Sequence, residues 1–314
     1  MPSTIVILGS GGTIAGVAAQ VSDHVGYRSA QRGVAELLAA VPALQDQLQG
    51  QAIECEQVAQ IDSKDMDHAT WQLLAQRAAH HLQRPEVAGV VITHGTDTLE
   101  ETAWFLHRVL APTKPLVLTA AMRPATALGA DGPQNLLDAV SLAREPGAQG
   151  VMVVLAGCVH GAADVRKLHP YRTDAFSSGD AGVLAHIEQG RLRRHRAWPQ
   201  AVALGLAHIT AAAADWPRVD VVHSHAGANG DGVRALLASG ARGLVLAGTG
   251  NGSVHRALGD ALQQARDQGV PVWICTRCGN GVVVTAESAP VSPAAALSPW
   301  QARIDLMLAL MAPG

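Results

Sequence analysis

The sequence predicts an α/β protein, with a doubly wound, mainly parallel sheet in a larger N-terminal domain and a smaller α/β C-terminal domain after it. Two alternating patterns support this prediction. Short apolar, β-branched runs without polar alternation are typical of parallel strands that helices cover on both faces. Longer segments repeat apolar residues every three or four positions, as in a helix with one buried face. Because the two patterns alternate, we expect helical crossovers between consecutive strands.

These patterns place each element on the sequence. The clearest helix is 99–110, in which leucines and an alanine recur on one face at a spacing of three or four residues. The other predicted helices are 71–82, 135–143, 232–237, 254–268 and 300–311. The predicted strands are 4–8, 89–93, 116–119, 151–155, 219–222, 243–246 and 270–274.

The division into domains follows from a change of pattern in the middle of the chain. Residues 189–215 lose the regular period and carry charge, proline and a run of alanines. Such segments are typical of connections between domains. We therefore predict a first domain at 1–190, a linker at 191–214 and a second domain at 215–314.

The composition excludes several classes of function. The 314 residues are 48% hydrophobic and 16% charged, which excludes a disordered chain. The net charge of −3 provides no basic field, so no nucleic-acid partner is expected. The apolar runs are shorter than the ~18 residues of a spanning helix and the start lacks the basic region of a signal peptide, so no membrane partner is expected. With four cysteines in a chain of this length, we expect a reduced, cytoplasmic protein.

The first candidate site is the glycine-rich segment 7–16, ILGSGGTIAG, directly after the first predicted strand. Turns that leave a strand at the carboxyl edge of a sheet are where α/β proteins bind ligands. The spacing does not fit a dinucleotide site, because Ile14 stands where a third glycine would be, and the lysine of a phosphate loop is missing. Thr13 lies in this turn among small residues, so a substrate could approach its hydroxyl. A turn that only reverses the chain remains the alternative.

The second candidate is the segment 93–101, THGTDTLEE, between a strand and the clearest helix. Thr98 and Glu101 have the spacing of a capping box, which places the preceding loop at the N-terminus of the helix. The polar side chains at 96–98 exceed what one cap requires. We expect them to face the same sheet edge as Thr13.

Other chemical signals are weaker. The segments 61–67 (IDSKDMD) and 164–167 (DVRK) place a serine or a lysine just outside an ordered element, where a solvated cap or turn is the more common explanation. Cys275 and Cys278 lack a second matching pair, so packing is favoured over a redox or metal role. The histidines show no HExxH or histidine–carboxylate spacing, and no metal site is predicted.

Several motifs together resemble one family, the bacterial-type L-asparaginases of the asparaginase–glutaminase family. The resemblance covers almost the whole chain, more loosely after residue 215. The motifs that carry it are GGTIAG at 11–16, HGTDTLEETA at 94–103, LTAAMRP at 118–124, DGPQNLLDA at 131–139, DVRK at 164–167 and TDAF at 173–176.

The resemblance implies a role for individual residues. Thr13 corresponds to the nucleophile and Tyr27 to the tyrosine of a mobile flap. Ser63 corresponds to the serine that holds the substrate's α-carboxylate. The second catalytic group corresponds to Thr96, Asp97 and Lys167, of which Asp97 also takes the α-ammonium group.

The resemblance also implies a substrate and an assembly. The substrate would be L-asparagine, with L-glutamine as a second candidate, and the protein would use no metal or organic cofactor. The active unit would be a homotetramer, a dimer of intimate dimers.

The implied chemistry suits these residue types. A hydroxyl that first takes the acyl group and releases ammonia divides amide hydrolysis into two easier steps. Tyr27 is expected to remove the proton of Thr13, while Lys167 acts through Thr96. Backbone N–H groups of the two turns are expected to stabilise the oxyanion, and Gly12 is expected among the substrate-binding residues.

Three positions depart from the family's usual pattern. Lys64 stands where a glutamine is common; it would either repel the substrate's ammonium group or be held outward by neighbouring aspartates. Ser253 stands where many members have asparagine. Glu287 has the spacing of a glutamate that a neighbouring subunit contributes, in unusual surroundings.

Three other functions share parts of this pattern. A relaxed glutaminase–asparaginase would keep every residue named above and would differ only in the size of its substrate pocket. An amidotransferase subunit that makes ammonia for charged tRNA normally carries further domains. A non-catalytic amino-acid sensor would keep Asp97 and Ser63 without needing Thr13, Thr96 and Lys167 together.

Overall fold

The computed structural model describes residues 3–20, 22–23, 26–48, 50–286 and 291–312. The chain divides into two compact units, residues 1–207 and 208–314. Within the described ranges, no helix combines the length and the apolar character needed to cross a bilayer.

The first unit contains ten strands and five α-helices among its described residues. The strands are β1 (Thr4–Gly11), β2 (Ala52–Ile61), β3 (Val87–Thr93), β4 (Pro115–Thr119), β5 (Gly150–Leu155), β6 (Cys158–Gly161), β7 (Arg166–Lys167), β8 (Phe176–Ser177), β9 (Ala185–Glu188) and β10 (Arg191–Arg194). The helices are α1 (Val34–Ala39), α2 (Ala43–Leu48), α3 (His68–Leu82), α4 (Leu99–Leu110) and α5 (Gly132–Ala143).

Eight of these strands form one sheet in the order β10-β9-β6-β5-β4-β3-β1-β2, while β7 and β8 form a separate antiparallel pair. The strands from β5 to β2 are parallel, and β6, β9 and β10 extend the sheet antiparallel. Along β1, β4 and β5 every residue is buried, as the unbroken apolar runs predict. The predicted mainly parallel sheet is therefore confirmed.

The position of β1 determines where a ligand would bind. From β1 the chain passes to β2 on one side, and it then returns to β3 on the other side. The crossovers leave in opposite directions at this point, which opens a crevice outside the carboxyl ends of the strands. The loops after β1 and β3 meet in that crevice.

Several elements were not predicted from the sequence. The strand β2 lies at the edge of the sheet and is nowhere fully buried, so its sequence AIECEQVAQI shows no apolar run. The strand β10 begins the predicted linker 191–214, but it pairs with β9. Its three arginines are exposed, and only Leu192 packs partly against the core. The strand therefore has the charged sequence that is typical of a linker. The first unit consequently extends beyond residue 190.

The second unit is a three-stranded parallel sheet with helices. Its strands are β11 (Val219–His223), β12 (Gly243–Gly248) and β13 (Val272–Thr276), in that spatial order. Its helices are α6 (Asp231–Ala238), α7 (Arg256–Asp267) and α8 (Pro299–Leu310). The central strand β12 is buried throughout, and the predicted smaller α/β domain is confirmed.

One buried acid in α5, Asp138, lowers the stability of the folded protein. Asp138 is only 3% exposed, and its carboxylate accepts a hydrogen bond from Gln134 Nε2 at 2.8 Å. Burial raises the pKa of Asp138, and the bond from Gln134 offsets this only in part. Because the folded protein favours the protonated acid, ionisation of Asp138 destabilises the fold as the pH rises above the acid's unfolded pKa.

We therefore expect Asp138→Asn to raise the urea midpoint of unfolding near neutral pH. The amide keeps an oxygen that accepts from Gln134 but carries no charge. The gain over wild type should be larger at about pH 8 than at about pH 4, because more of the wild-type acid is protonated at the lower pH. Asp46→Asn, an exposed acid on α2, is the control. A gain that is equal at both pH values would contradict this account.

Candidate active site

Three loops touch at the carboxyl edge of the sheet: the backbones at Gly12 and Gly95 meet directly, and the side chain of Ser63 packs against Gly95. Gly12 has φ +81°, and a Cβ there would lie 2.7 Å from the carbonyl carbon of His94 and would clash with Gly95. A Cβ on Gly95 would lie 2.8 Å from Ser63 Cβ. Only glycine lets the loops after β1, β2 and β3 approach this closely. The N–H of Gly12 donates to Ile61 O at 2.9 Å, which ties the loop after β1 to the end of β2.

Thr13 follows this contact directly and pairs with Tyr27. Thr13 is buried in a short 3-10 turn, and its Oγ1 lies 2.7 Å from Tyr27 Oη, with either oxygen able to donate. The half-buried tyrosine also approaches Gly16, where a Cβ would lie 2.9 Å from the ring. The glycines of GGTIAG therefore make room both for the loop contact and for the tyrosine.

A second hydroxyl is paired with a lysine. Lys167, on β7, donates from Nζ to Thr96 Oγ1 at 2.9 Å and to Asp97 Oδ1 at 2.6 Å. Thr96 is buried and the side chain of Lys167 is 17% exposed, whereas that of Asp97 is 54% exposed. The structure thus brings together the three residues that the sequence placed in two separate motifs.

Ser63 joins the loop after β2 to the start of α4. Its Oγ accepts from the N–H of Asp97 at 3.1 Å, and its carbonyl accepts from Thr98 Oγ1 at 2.7 Å. The predicted position of the loop at the N-terminus of a helix is confirmed, since α4 begins at Leu99. The predicted capping box is wrong, because the hydroxyl of Thr98 donates to Ser63 instead of capping the helix.

Glu100 is a site residue that the sequence did not indicate. Its Oε2 accepts from the backbone N–H of Lys167 at 2.7 Å, which ties β7 to the first turn of α4. Burial raises the pKa of Glu100. An acid in the first turn of a helix is ordinary in a sequence, so nothing distinguished Glu100 from Glu101.

The three departures from the family pattern lie apart from these contacts or outside the described residues. Lys64 forms an ion pair with Asp65, and its side chain is 60% exposed. This hydrogen bond raises the pKa of Lys64, and the arrangement is the outward one of the two alternatives. Ser253 lies in the second unit, exposed, with its N–H donating to Thr249 O at 2.8 Å. Glu287 lies outside the described residues.

The arrangement offers two buried hydroxyls, each bonded to a side chain that can exchange its proton. Beside them lies a carboxylate, Asp97, that solvent reaches and that can hold a cation. Covalent acyl transfer can use two such hydroxyls, one that attacks the substrate and one that assists the attack.

Comparisons with known proteins cover both units. The model of the asparaginase N-terminal domain matches residues 4–200, and that of the glutaminase/asparaginase C-terminal domain matches residues 218–313. L-asparaginase 2 of Bacillus subtilis is 36% identical, covering 98% of this chain and 82% of its own. A glutaminase-asparaginase of Pseudomonas fluorescens is 34% identical, covering 98% and 86%.

A solved structure agrees with these matches. The crystal structure of a probable cytoplasmic L-asparaginase from Campylobacter jejuni superposes with a TM-score of 0.91 at 38% identity. The superposition covers 99% of this chain and 96% of that chain. With both units matched in sequence and in fold, the chain belongs to the asparaginase family of hydrolases.

Proposed function

We propose that this protein hydrolyses the side-chain amide of L-asparagine to L-aspartate and ammonia through an acyl-enzyme on Thr13. The observation that carries this proposal is the pairing of two buried threonine hydroxyls, one with Tyr27 and one with Lys167. Both pairs lie at the crevice where the strand order reverses, the position at which α/β proteins bind ligands.

In the first step, Thr13 Oγ1 attacks the carbonyl carbon of the amide. Its proton passes to Tyr27 while the tyrosine gives its own proton to the amide nitrogen, so that ammonia leaves as the C–N bond breaks. In the second step, water attacks the ester carbon with the help of Thr96, which Lys167 polarises. The proton of that water returns to Thr13 as the ester bond breaks, and L-aspartate is released.

The charged groups of the substrate have partners at the same edge. The α-ammonium group would bind the exposed carboxylate of Asp97. The α-carboxylate would accept from the hydroxyl of Ser63, near the N-terminus of α4. This division of charge favours a free amino acid over an amide without charged groups.

L-Glutamine remains the second candidate substrate. The relatives named L-asparaginase and glutaminase-asparaginase are almost equally similar to this chain, at 36% and 34% identity. Both activities would use the same hydroxyls and differ in the room for one methylene group, which is worth about 1–3 kcal/mol in an apolar pocket.

The proposal extends to location and assembly. The structural neighbour from Campylobacter jejuni is named a probable cytoplasmic L-asparaginase, which supports a cytoplasmic location. We also propose a homotetramer in which the C-terminal unit, with Ser253 and Glu287, completes a neighbouring site.

A coupled ammonia assay on wild type, Thr13→Ala and Thr96→Ala tests the function. Wild type should release ammonia from L-asparagine, with L-glutamine assayed in parallel. Each variant should lose about a thousandfold or more in kcat, since each removes a hydroxyl of the covalent mechanism. Thr113→Ala, at an exposed position, is the control. Near-wild-type turnover by either variant would disprove that threonine's role, and a wild type inactive on both amides would disprove the function.

Lys64→Gln should leave the KM for L-asparagine within about twofold of wild type. The lysine is exposed and already paired with Asp65, so removing its charge changes a solvated site. Steady-state kinetics at low salt, where screening is weakest, is the measurement. A KM lowered by about tenfold or more at unchanged kcat would mean that the lysine turns toward the substrate.

Light scattering at the assay concentration tests the assembly. We expect at least a dimer, and a tetramer with dihedral symmetry if the family's arrangement holds. A fully active monomer would show that no neighbouring subunit is needed.

A further inference from the structure

His94 is a fully buried histidine to which the proposed chemistry assigns no role. It follows β3 directly and stands two residues before Thr96, with an exposure of 0%. Its backbone N–H donates to Thr119 O at 2.8 Å, which fixes the residue to β4. Its imidazole lies within hydrogen-bonding distance of two groups.

The partners of the ring determine which nitrogen carries the proton. His94 Nδ1 lies 2.7 Å from Gly95 O, and Nε2 lies 3.0 Å from Thr102 Oγ1. A carbonyl oxygen only accepts, so Nδ1 must carry the hydrogen. Trp71 Nε1 donates to Thr102 Oγ1 at 2.8 Å, which leaves the threonine hydroxyl proton for Nε2. Burial lowers the pKa of His94 to about 4, in keeping with a neutral ring.

This chain of hydrogen bonds ends on a peptide group of the site. The carbonyl of Gly95 and the N–H of Thr96 belong to one planar unit and point in opposite directions. Because the carbonyl is turned toward a buried ring, the N–H points away from that ring. Among the residues that the structure describes, no acceptor takes this N–H. A hydrogen bond to the carbonyl also polarises the peptide and makes its N–H a stronger donor.

We propose that His94 is a positioning residue, which fixes and polarises the Gly95–Thr96 peptide so that the Thr96 N–H stabilises negative charge on the amide oxygen of the substrate. The contribution arises mainly in the transition state, where that oxygen becomes an anion. The proposal rests on the amide hydrolysis proposed above.

Two substitutions of His94 distinguish the loss of the donor at Nδ1 from the loss of the ring itself. The side-chain nitrogen of asparagine takes the place of Nδ1, whereas that of glutamine takes the place of Nε2. We expect His94→Asn to keep kcat within about threefold of wild type, and His94→Gln to lower it about tenfold or more, with KM changed by less than about threefold in both. His160→Gln is the control, because His160 is also buried with a pKa lowered to about 4 but bonds Ser178. Equal kcat in the two His94 variants, or a change in KM alone, would overturn the proposal.

A second pair of variants tests the hydrogen bond at the other ring nitrogen, Nε2. Thr102→Ser keeps the hydroxyl that donates to Nε2, and Thr102→Val removes it while retaining the shape. kcat should fall for the valine variant alone. Equal rates in both would show that the proton on the ring is not held by this chain of bonds.

The proton can also be observed directly. In protein labelled with 15N-histidine, the signal absent from His94→Asn should show a protonated Nδ1 and an unprotonated Nε2, unchanged from about pH 6 to about pH 8. An active enzyme with the opposite tautomer would overturn the role of His94 alone. A wild type without amidase activity would overturn the proposed function, and this role with it.

Discussion

The site depends on the contact between two backbone segments, at Gly12 after β1 and Gly95 after β3. No side chain fits between them, and Ser63 closes the third side. The contact exists because β1 lies between β2 and β3 in the sheet, so that the chain leaves it in two directions. The hydroxyls of Thr13 and Thr96 follow this contact by one residue each, and the sheet therefore sets the distance between them.

The first turns of α4 and the two residues before it bind the remaining groups. Asp97 and Thr98 bond Ser63, Glu100 holds the backbone of Lys167, and Thr102 bonds the ring of His94. Lys167 comes from a two-residue strand outside the large sheet, and it reaches Thr96 because both its side chain and its backbone are bound at this helix. The helix is in turn packed in the core, where Trp71 of α3 stacks on Phe105 at 5.0 Å.

The parts of the fold that could be predicted are those in which burial leaves a pattern. β1, β4 and β5 are buried on both faces and read as unbroken apolar runs. β2 could not be found in this way, because an edge strand keeps polar residues, and two-residue strands such as β7 have no period at all. Thr13 and Thr96 were placed at one edge by strand topology, whereas Glu100 acts through a bond to a distant backbone, which leaves no trace in the sequence.

The edge position of β2 has a consequence for the order in which the site comes apart. In the sheet its backbone pairs with a single neighbour, β1. Ion pairs join its acids to α3 and to the turn after it, Glu56 to Arg77 at 2.6 Å and Glu54 to Arg84 at 2.7 Å. Ion pairs that solvent still reaches add little, so the edge strand is held less firmly than the central strands. Local opening would detach the serine at the end of β2 before the two threonines separate. The molecule would then pass through partly opened forms that keep the paired hydroxyls but lack one wall of the crevice.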